Sequence, residues 1–228
     1  NTLRDWLRRS AAGEPVQYIT GETEFFDLQF TLTRDVFIPR PETERLVEIA
    51  INEANESKEF SVLDIGTGCG SIAVSLACSL KEISVTATDN NRNALKVAQL
   101  NAKKNGVASR IQFIDHDILN DEVENCFDII VSNPPYVPLK EYKALQDNVR
   151  CFEPREALTE DADGLTFYRS FAAKGKNWLR EGGMIILEVG CGKHPLHAKE
   201  LFESAGWTEI ELSNDYNGDP RVLKAKRP

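Results

Sequence analysis

The tetrapeptide Asn133-Pro134-Pro135-Tyr136 directly follows the apolar run Phe127-Asp128-Ile129-Ile130-Val131-Ser132. Such a run reads as a strand, and two prolines end it in a rigid turn. In that turn the Asn133 side-chain oxygen and the Pro134 carbonyl are two acceptors for the two hydrogens of a planar NH₂ group. An amide nitrogen is a poor nucleophile, because its lone pair is delocalised into the carbonyl. Holding it by its hydrogens aligns it with an electrophile and favours the charge that develops on it during attack. Proline presents a carbonyl with no N–H to compete. Pro135 completes the turn, and Tyr136 offers an aromatic face to a flat acceptor or to a cationic donor. No dedicated general base is evident, so positioning is expected to carry the chemistry, with the proton lost to water. The alternative use of the four residues is a strand ended by a Pro-Pro turn with Asn133 as its cap.

A second signal lies upstream in Val62-Leu63-Asp64-Ile65-Gly66-Thr67-Gly68-Cys69-Gly70. A strand enters a glycine turn that opens a helix, where backbone can approach a ligand and helix-terminal N–H groups are free. The spacing departs from the dinucleotide fingerprint, since the third glycine comes one residue early. Asp89 ends the next strand, 19 residues beyond Gly70, where a carboxylate can accept both hydroxyls of a ribose. Capping the helix that begins near Asn91 is the alternative use of Asp89, and the two are compatible. Asp117, just past a third strand, is placed to accept from an adenine amino group, with Ile118 packed on the ring. Turn, ribose acceptor and base acceptor at three successive strand ends describe a site for S-adenosylmethionine.

The elements that must position these residues alternate. Strands are expected at residues 61–65, 84–88, 111–114, 127–132 and 184–189, with a closing antiparallel pair at 208–212 and 221–225. Helices fit between them at 71–80, 91–105, 165–179 and 194–205, with Gly106, Gly182-Gly183 and Gly206 at or past their ends. This alternation implies a doubly wound, mostly parallel α/β sheet of seven strands. Ahead of it, residues 1 to 20 read as a short helix with Leu3, Trp6 and Leu7 on one stripe, broken by Gly13 and Pro15. Residues 24–32 read as a strand pair, 37–42 as extended because of Pro39 and Pro41, and 43–53 as a helix with Leu46, Val47, Ile49 and Ala50 on one face.

The chain has 228 residues, 41% hydrophobic and 28% charged, with a net charge of −9. This suits one α/β domain with a small appendage and argues against a surface that tracks phosphates, although a local basic patch is compatible with it. No run is long and apolar enough to span a membrane, and no secretory leader opens the chain. Asn1 at the start and a single methionine, Met184, suggest a piece of a longer protein. The five cysteines, Cys69, Cys78, Cys126, Cys151 and Cys191, form no disulfide or metal pattern, so reduced thiols in a cytoplasm-like compartment are expected. Cys191 and His194 lie near one another without further ligands for a metal.

With these residues assembled, the chain resembles the peptide chain release factor glutamine methyltransferases, which are Rossmann-like class I enzymes. The resemblance rests on Pro15-Val16-Gln17-Tyr18-Ile19-Thr20-Gly21, Phe37-Ile38-Pro39-Arg40-Pro41-Glu42-Thr43-Glu44, the turn at 66–70, Asn133-Pro134-Pro135-Tyr136, Phe152-Glu153-Pro154 with Ala157-Leu158, and Asp163-Gly164-Leu165. The Asn-Pro-Pro-Tyr motif is shared with adenine amino-methyltransferases, whereas the Pro-Arg-Pro-Glu-Thr-Glu segment is more specific. In the sister enzymes acting on a ribosomal protein, Ser is expected where this chain has Pro41. The resemblance implies that Phe37, Gly66, Thr67, Gly68, Cys69, Gly70, Asp89, Asp117, Ile118 and Asn133 hold S-adenosyl-L-methionine, leaving S-adenosyl-L-homocysteine as product. Cys69 stands where Thr or Ser is common in that family. The resemblance further implies that Asn133, Pro134, Pro135 and Tyr136 grip the glutamine of a Gly-Gly-Gln loop on a class 1 release factor, Asn133, Pro134 and Tyr136 being catalytic. It implies a monomer in a cytoplasm or organelle matrix, with residues 1–36 the remnant of an N-terminal helical domain plus a hairpin and 37–228 the methyltransferase domain. For Phe37, core packing is the alternative. Arg40 and Glu42 are expected to pair with each other or to brace the linker. Two other functions share the pocket: methylation of nucleic-acid adenine, which would want basic, aromatic-rich loops, and a non-catalytic cofactor-binding module.

Overall fold

The computed structural model describes residues 2–54, 60–124 and 126–228. Two strands, β1 (Glu22–Phe25) and β2 (Leu28–Thr31), form an antiparallel hairpin. The other seven are β3 (Phe60–Ile65), β4 (Ile83–Asp89), β5 (Ile111–Asp115), β6 (Phe127–Ser132), β7 (Leu179–Glu188), β8 (Thr208–Asn214) and β9 (Pro220–Lys226). They make one sheet in the order β5-β4-β3-β6-β7-β9-β8. The first five pair in parallel, and β9 runs antiparallel to both β7 and β8. The expected doubly wound α/β architecture is therefore present.

The strand order reverses between β3 and β6, and this switch point determines where a ligand can bind. Ile65 pairs with Thr88 on one side and with Ser132 on the other, while Ser132 pairs with Leu187. The chain thus leaves β3, β4, β6 and β7 at one level, bringing Gly66, Asp89, Asn133 and Glu188 to the same edge. The Ser132 hydroxyl donates to the Ile65 carbonyl at 2.7 Å and locks that level. Every residue of β6 is buried, as expected for a central parallel strand covered on both faces.

The helices are α1 (Thr2–Ala11), α2 (Val16–Thr20), α3 (Pro41–Glu53), α4 (Ser71–Ser79), α5 (Arg92–Lys104), α6 (Leu139–Tyr142), α7 (Asp147–Arg150), α8 (Thr166–Trp178) and α9 (His194–Ser204). Side chains alternate between two apolar layers with the period of a strand. Val62, Ile129 and Ile186 join the layer built with α3, α4 and the hairpin. Leu63, Ile130 and Ile185 join the layer built with α8 and α9.

Several expectations need correction. The first helix is two helices, because Gly13 takes a φ of 84° and Pro15 follows it. The apolar stripe of α1 faces outward, with Leu3 68%, Trp6 40% and Leu7 63% exposed. Helix α3 begins at Pro41 rather than at residue 43, since proline at the first helical position has no N–H to leave unpaired. Gly182 and Gly183 lie inside β7, which starts at Leu179, and mark an irregularity rather than a helix end. A Cβ on Gly183 would come within 2.9 Å of the Asp128 carbonyl on β6, so close strand contact selects the glycine. The short helices α6 and α7 carry too few residues for a readable period.

Apolar packing and side chains of α3 and α5, Asn101 above all, join the hairpin to the sheet domain. Phe25, Phe30 and Leu32 are buried against α3 and α4. Asn101 of α5, fully buried, accepts from Thr31 N at 2.7 Å and donates to Thr31 O at 3.0 Å and to Cys69 O at 2.8 Å. It therefore joins the hairpin to the glycine turn. Asn101→Ala removes the partner of Thr31 N, Thr31 O and Cys69 O, at roughly 1–3 kcal/mol for each group that water does not reach. Urea titration of the variant should show a loss of about 3 kcal/mol of unfolding free energy; a loss under about 0.5 kcal/mol would show that water replaces the side chain freely.

Candidate active site

A cavity of about 200 Å³ opens at the switch point, over the C-terminal ends of β3 to β6. It brings together Phe37, Gly66, Thr67, Gly68 and Cys69, then Asp89, Asp117 and Ile118, and finally Asn133, Pro134, Pro135 and Tyr136. Of the residues singled out in the sequence, Gly70 alone lies outside the lining. Its φ is 84°, and a Cβ on it would stand 3.1 Å from Ala98 Cβ, so it is a glycine because α4 packs closely on α5.

Gly66 and Gly68 differ from Gly70. Their φ values are 71° and 56°, and a Cβ on either would meet no atom within 4 Å. They leave room for a ligand rather than for a neighbour. The expectation that this turn offers free N–H groups is not met at four of its residues. Gly66 N and Thr67 N both donate to Thr88 O at 2.9 Å, Gly68 N to Asp89 Oδ2 at 2.9 Å, and Gly70 N to Thr67 O at 2.8 Å. The Thr67 hydroxyl donates to Asp64 Oδ2 at 2.7 Å, and complete burial pushes the Asp64 carboxyl up to about 7.

Asp89 accepts from Gly68 N and, through Oδ1, from Asn91 N at 2.9 Å. The helix cap is Asn91, whose side chain accepts from Asn93 N and Ala94 N. Each Asp89 oxygen retains a lone pair for a ligand hydroxyl. Burial raises its pKa, and the Asn91 and Gly68 N–H groups oppose the rise. Asp117 caps a turn, accepting from Leu119 N at 3.0 Å and Asn120 Nδ2 at 2.8 Å, while Ile118 is buried under the cavity. Among the lining residues, Asp35, Asp89, Asp117 and Glu156 are acidic and none is Lys or Arg. Such a lining favours a cationic ligand and disfavours phosphates.

Phe37 is half-buried and lines the cavity, with the Arg40 guanidinium 4.6 Å above its ring centroid. Arg40 pairs with Glu153 rather than with Glu42. The same Glu153 accepts from Ile38 N at 3.3 Å, so the 37–40 linker is clipped to the 152–154 loop. Burial raises the Glu153 pKa, and the charge of Arg40 opposes it.

The acceptor turn rests on a polar chain that the sequence reading did not find. Asn133 Nδ2 donates to Thr43 Oγ1 at 3.2 Å, Thr43 Oγ1 donates to Glu188 Oε2 at 2.5 Å, and Tyr136 OH donates to Glu188 Oε1 at 3.1 Å. Glu188 is 1% exposed. The detectable signal was an acid, Glu188, inside the apolar run Met184-Ile185-Ile186-Leu187-Glu188-Val189. Tyr136 lines the cavity, but its ring is held from behind. A Cβ on Gly190 would stand 3.1 Å from Tyr136 Cδ2, and one on Gly164 would stand 2.4 Å from Tyr136 O. His194 accepts from Gly190 N at 3.1 Å and bonds Gly164 O at 2.9 Å, which fixes the proton on Nε2. Burial lowers its pKa, so this ring is a neutral brace between the two glycines. Among the described residues no group of three or more His, Cys, Asp or Glu side chains is arranged to hold a metal ion.

Comparisons with known proteins agree with this geometry. Residues 43–152 match the family described as "Methyltransferase small domain". A release factor glutamine methyltransferase of Chlorobaculum tepidum is 40% identical over 97% of this chain and 77% of its own length. One of Lactococcus lactis is 43% identical over 98% of this chain and 82% of its own. The crystal structure of a methyltransferase from Pyrococcus furiosus superposes with a TM-score of 0.65 over 98% of both chains, at 17% identity, and so shares the fold. With two in five residues shared along nearly all of its length, this chain belongs to the release factor glutamine methyltransferase family.

Proposed function

We propose that the chain transfers a methyl group from S-adenosyl-L-methionine to the side-chain amide nitrogen of the glutamine in the Gly-Gly-Gln motif of a class 1 peptide chain release factor, and so modulates translation termination. The observation that carries this reading is the common level of Gly66, Asp89 and Asn133. It supports the reading by setting the Asn-Pro-Pro-Tyr turn beside the glycine turn within one cavity. In this reading residues 37–228 are the methyltransferase domain, and residues 1–36 are the helices and hairpin appended to it.

The residues present fit the cofactor. Gly66 and Gly68 clear space that a Cβ would fill, and the acidic lining without Lys or Arg suits a ligand carrying a sulfonium and an ammonium. Asp89 would accept the ribose hydroxyls, Asp117 the base amino group, and Ile118 would pack on the base. When bound, the cofactor supplies an electrophilic methyl group on sulfur. Asn133 Oδ1 and the Pro134 carbonyl hold the acceptor NH₂ by its hydrogens and stabilise the charge that grows on nitrogen. Tyr136 and Phe37 flank the flat amide and exclude water. The proton of the methylated nitrogen then leaves to solvent. Phosphate-bearing nucleic acid suits this lining poorly, which favours the protein acceptor over adenine.

Incubation with methyl-labelled cofactor and either a release factor or DNA should place label on the glutamine alone. Label on DNA with a silent release factor would reverse the assignment. Asn133→Ala should lower kcat roughly 100-fold, the loss typical of one preorganised transition-state contact, with a small change in cofactor affinity. Transfer within tenfold of the parent, about 1.4 kcal/mol of barrier, would remove Asn133 from the catalytic role. Asp89→Ala should instead raise the cofactor Kd about 10- to 100-fold in calorimetry, as expected for loss of charged hydrogen bonds. An unchanged Kd would exclude the ribose contact.

A further inference from the structure

We infer that Thr43 and Glu188 are positioning residues that fix which way the Asn133 amide faces, turning its oxygen toward the acceptor. This rests on the proposed amide-methylating function. The two ends of an asparagine side chain have nearly the same shape, yet only the oxygen can accept from an acceptor NH₂. Flipped, Asn133 would set its own N–H groups against those of the acceptor.

The polar chain behind the turn decides between the two orientations. A threonine hydroxyl has one hydrogen. With Glu188 ionised, the carboxylate has only acceptors to offer, and at 2.5 Å from Oε2 the hydroxyl hydrogen goes to it. The Thr43 oxygen is left able only to accept, and its partner at 3.2 Å is Asn133 Nδ2. Asn133 Oδ1 is thereby directed away from Thr43, toward the cavity. The second Glu188 oxygen takes the Tyr136 hydroxyl, so one buried carboxylate orients both ends of the tetrapeptide. Burial raises the Glu188 pKa, while the Thr43 and Tyr136 hydroxyls and the charge of Arg221 oppose that rise. The register that pairs Ser132 with Leu187 brings Asn133 and Glu188 to one level, and the N-terminal turn of α3 sets Thr43 between them.

The orientation can be read without any acceptor. In NMR of the full chain labelled with ¹⁵N-asparagine, the Asn133 side-chain NH₂, identified by its loss in Asn133→Ala, should show contacts to Thr43 protons. Their absence would overturn the inference whatever the enzyme's substrate. Kinetics give a second reading. Thr43→Val keeps shape and removes the hydroxyl; it should lower kcat about tenfold while the cofactor Kd stays within about twofold. Thr43→Ser, which restores the hydroxyl, should recover most of that loss. Equal losses in Val and Ser, or a Val variant within about threefold of the parent kcat, would reduce Thr43 to packing. A parent enzyme that left release factor unlabelled would instead refute the proposed function, with the NMR result still deciding the orientation.

Discussion

The alignment of β3 and β6 at the reversal of strand order is the constraint on which the rest depends. Ile65 stands opposite Ser132, and the Ser132 hydroxyl bonds the Ile65 carbonyl at 2.7 Å. A shift of one residue would send the apolar side chains of β6 to the wrong layers. It would also carry Asn133 away from the glycine turn. With β6 entirely buried, such a shift is strongly opposed, and the relative placement of cradle and grip follows from core packing. The site is precise because the core beneath it has one register.

The electrostatics of the cavity follow from where backbone groups are used. Four N–H groups of the glycine turn are turned inward, to Thr88, Asp89 and Thr67, so little of the donor field that binds phosphate in nucleotide folds is left to the ligand. The acids Asp35, Asp89, Asp117 and Glu156 line the opening without a compensating Lys or Arg. A turn that gives room but few donors, set among carboxylates, favours a cation over a phosphate.

Buried carboxyl groups around the site each hold a loop or turn, Asp64 through one oxygen only. Glu153 holds the Phe37 linker through Arg40 and Ile38 N, and Glu188 holds the acceptor turn through Thr43 and Tyr136. Asp64 supports the glycine turn through Thr67. Burying such carboxylates is costly unless each is hydrogen-bonded, so their positions are strongly specified. In the proposed function the Asn133–Tyr136 turn gains from that specificity, since its contribution there is geometric.

The strand at 127–132 and the helix at 91–105 were legible because a fully buried strand and an amphipathic helix impose short-range patterns on residue type. The Asn-Pro-Pro-Tyr turn, the glycine loop, Asp89 and Asp117 were legible because their chemistry is local to strand ends. Gly70 stands outside the cavity lining, against Ala98: a glycine needed for helix packing is written with the same letter as one that leaves a cavity open. The start of α3 at Pro41, the interruption of β7 by Gly182 and Gly183, and the outward stripe of α1 depend on neighbours absent from the local sequence. Thr43 and Glu188 were missed for the same reason, since 145 residues separate them and a hydroxyl or carboxyl shows its partner only after folding. The sequence by itself determined which elements form and which groups could react. Only the tertiary structure decided which buried polar groups pair, because that pairing depends on strand register and on the cost of leaving a carboxylate unsatisfied in the core.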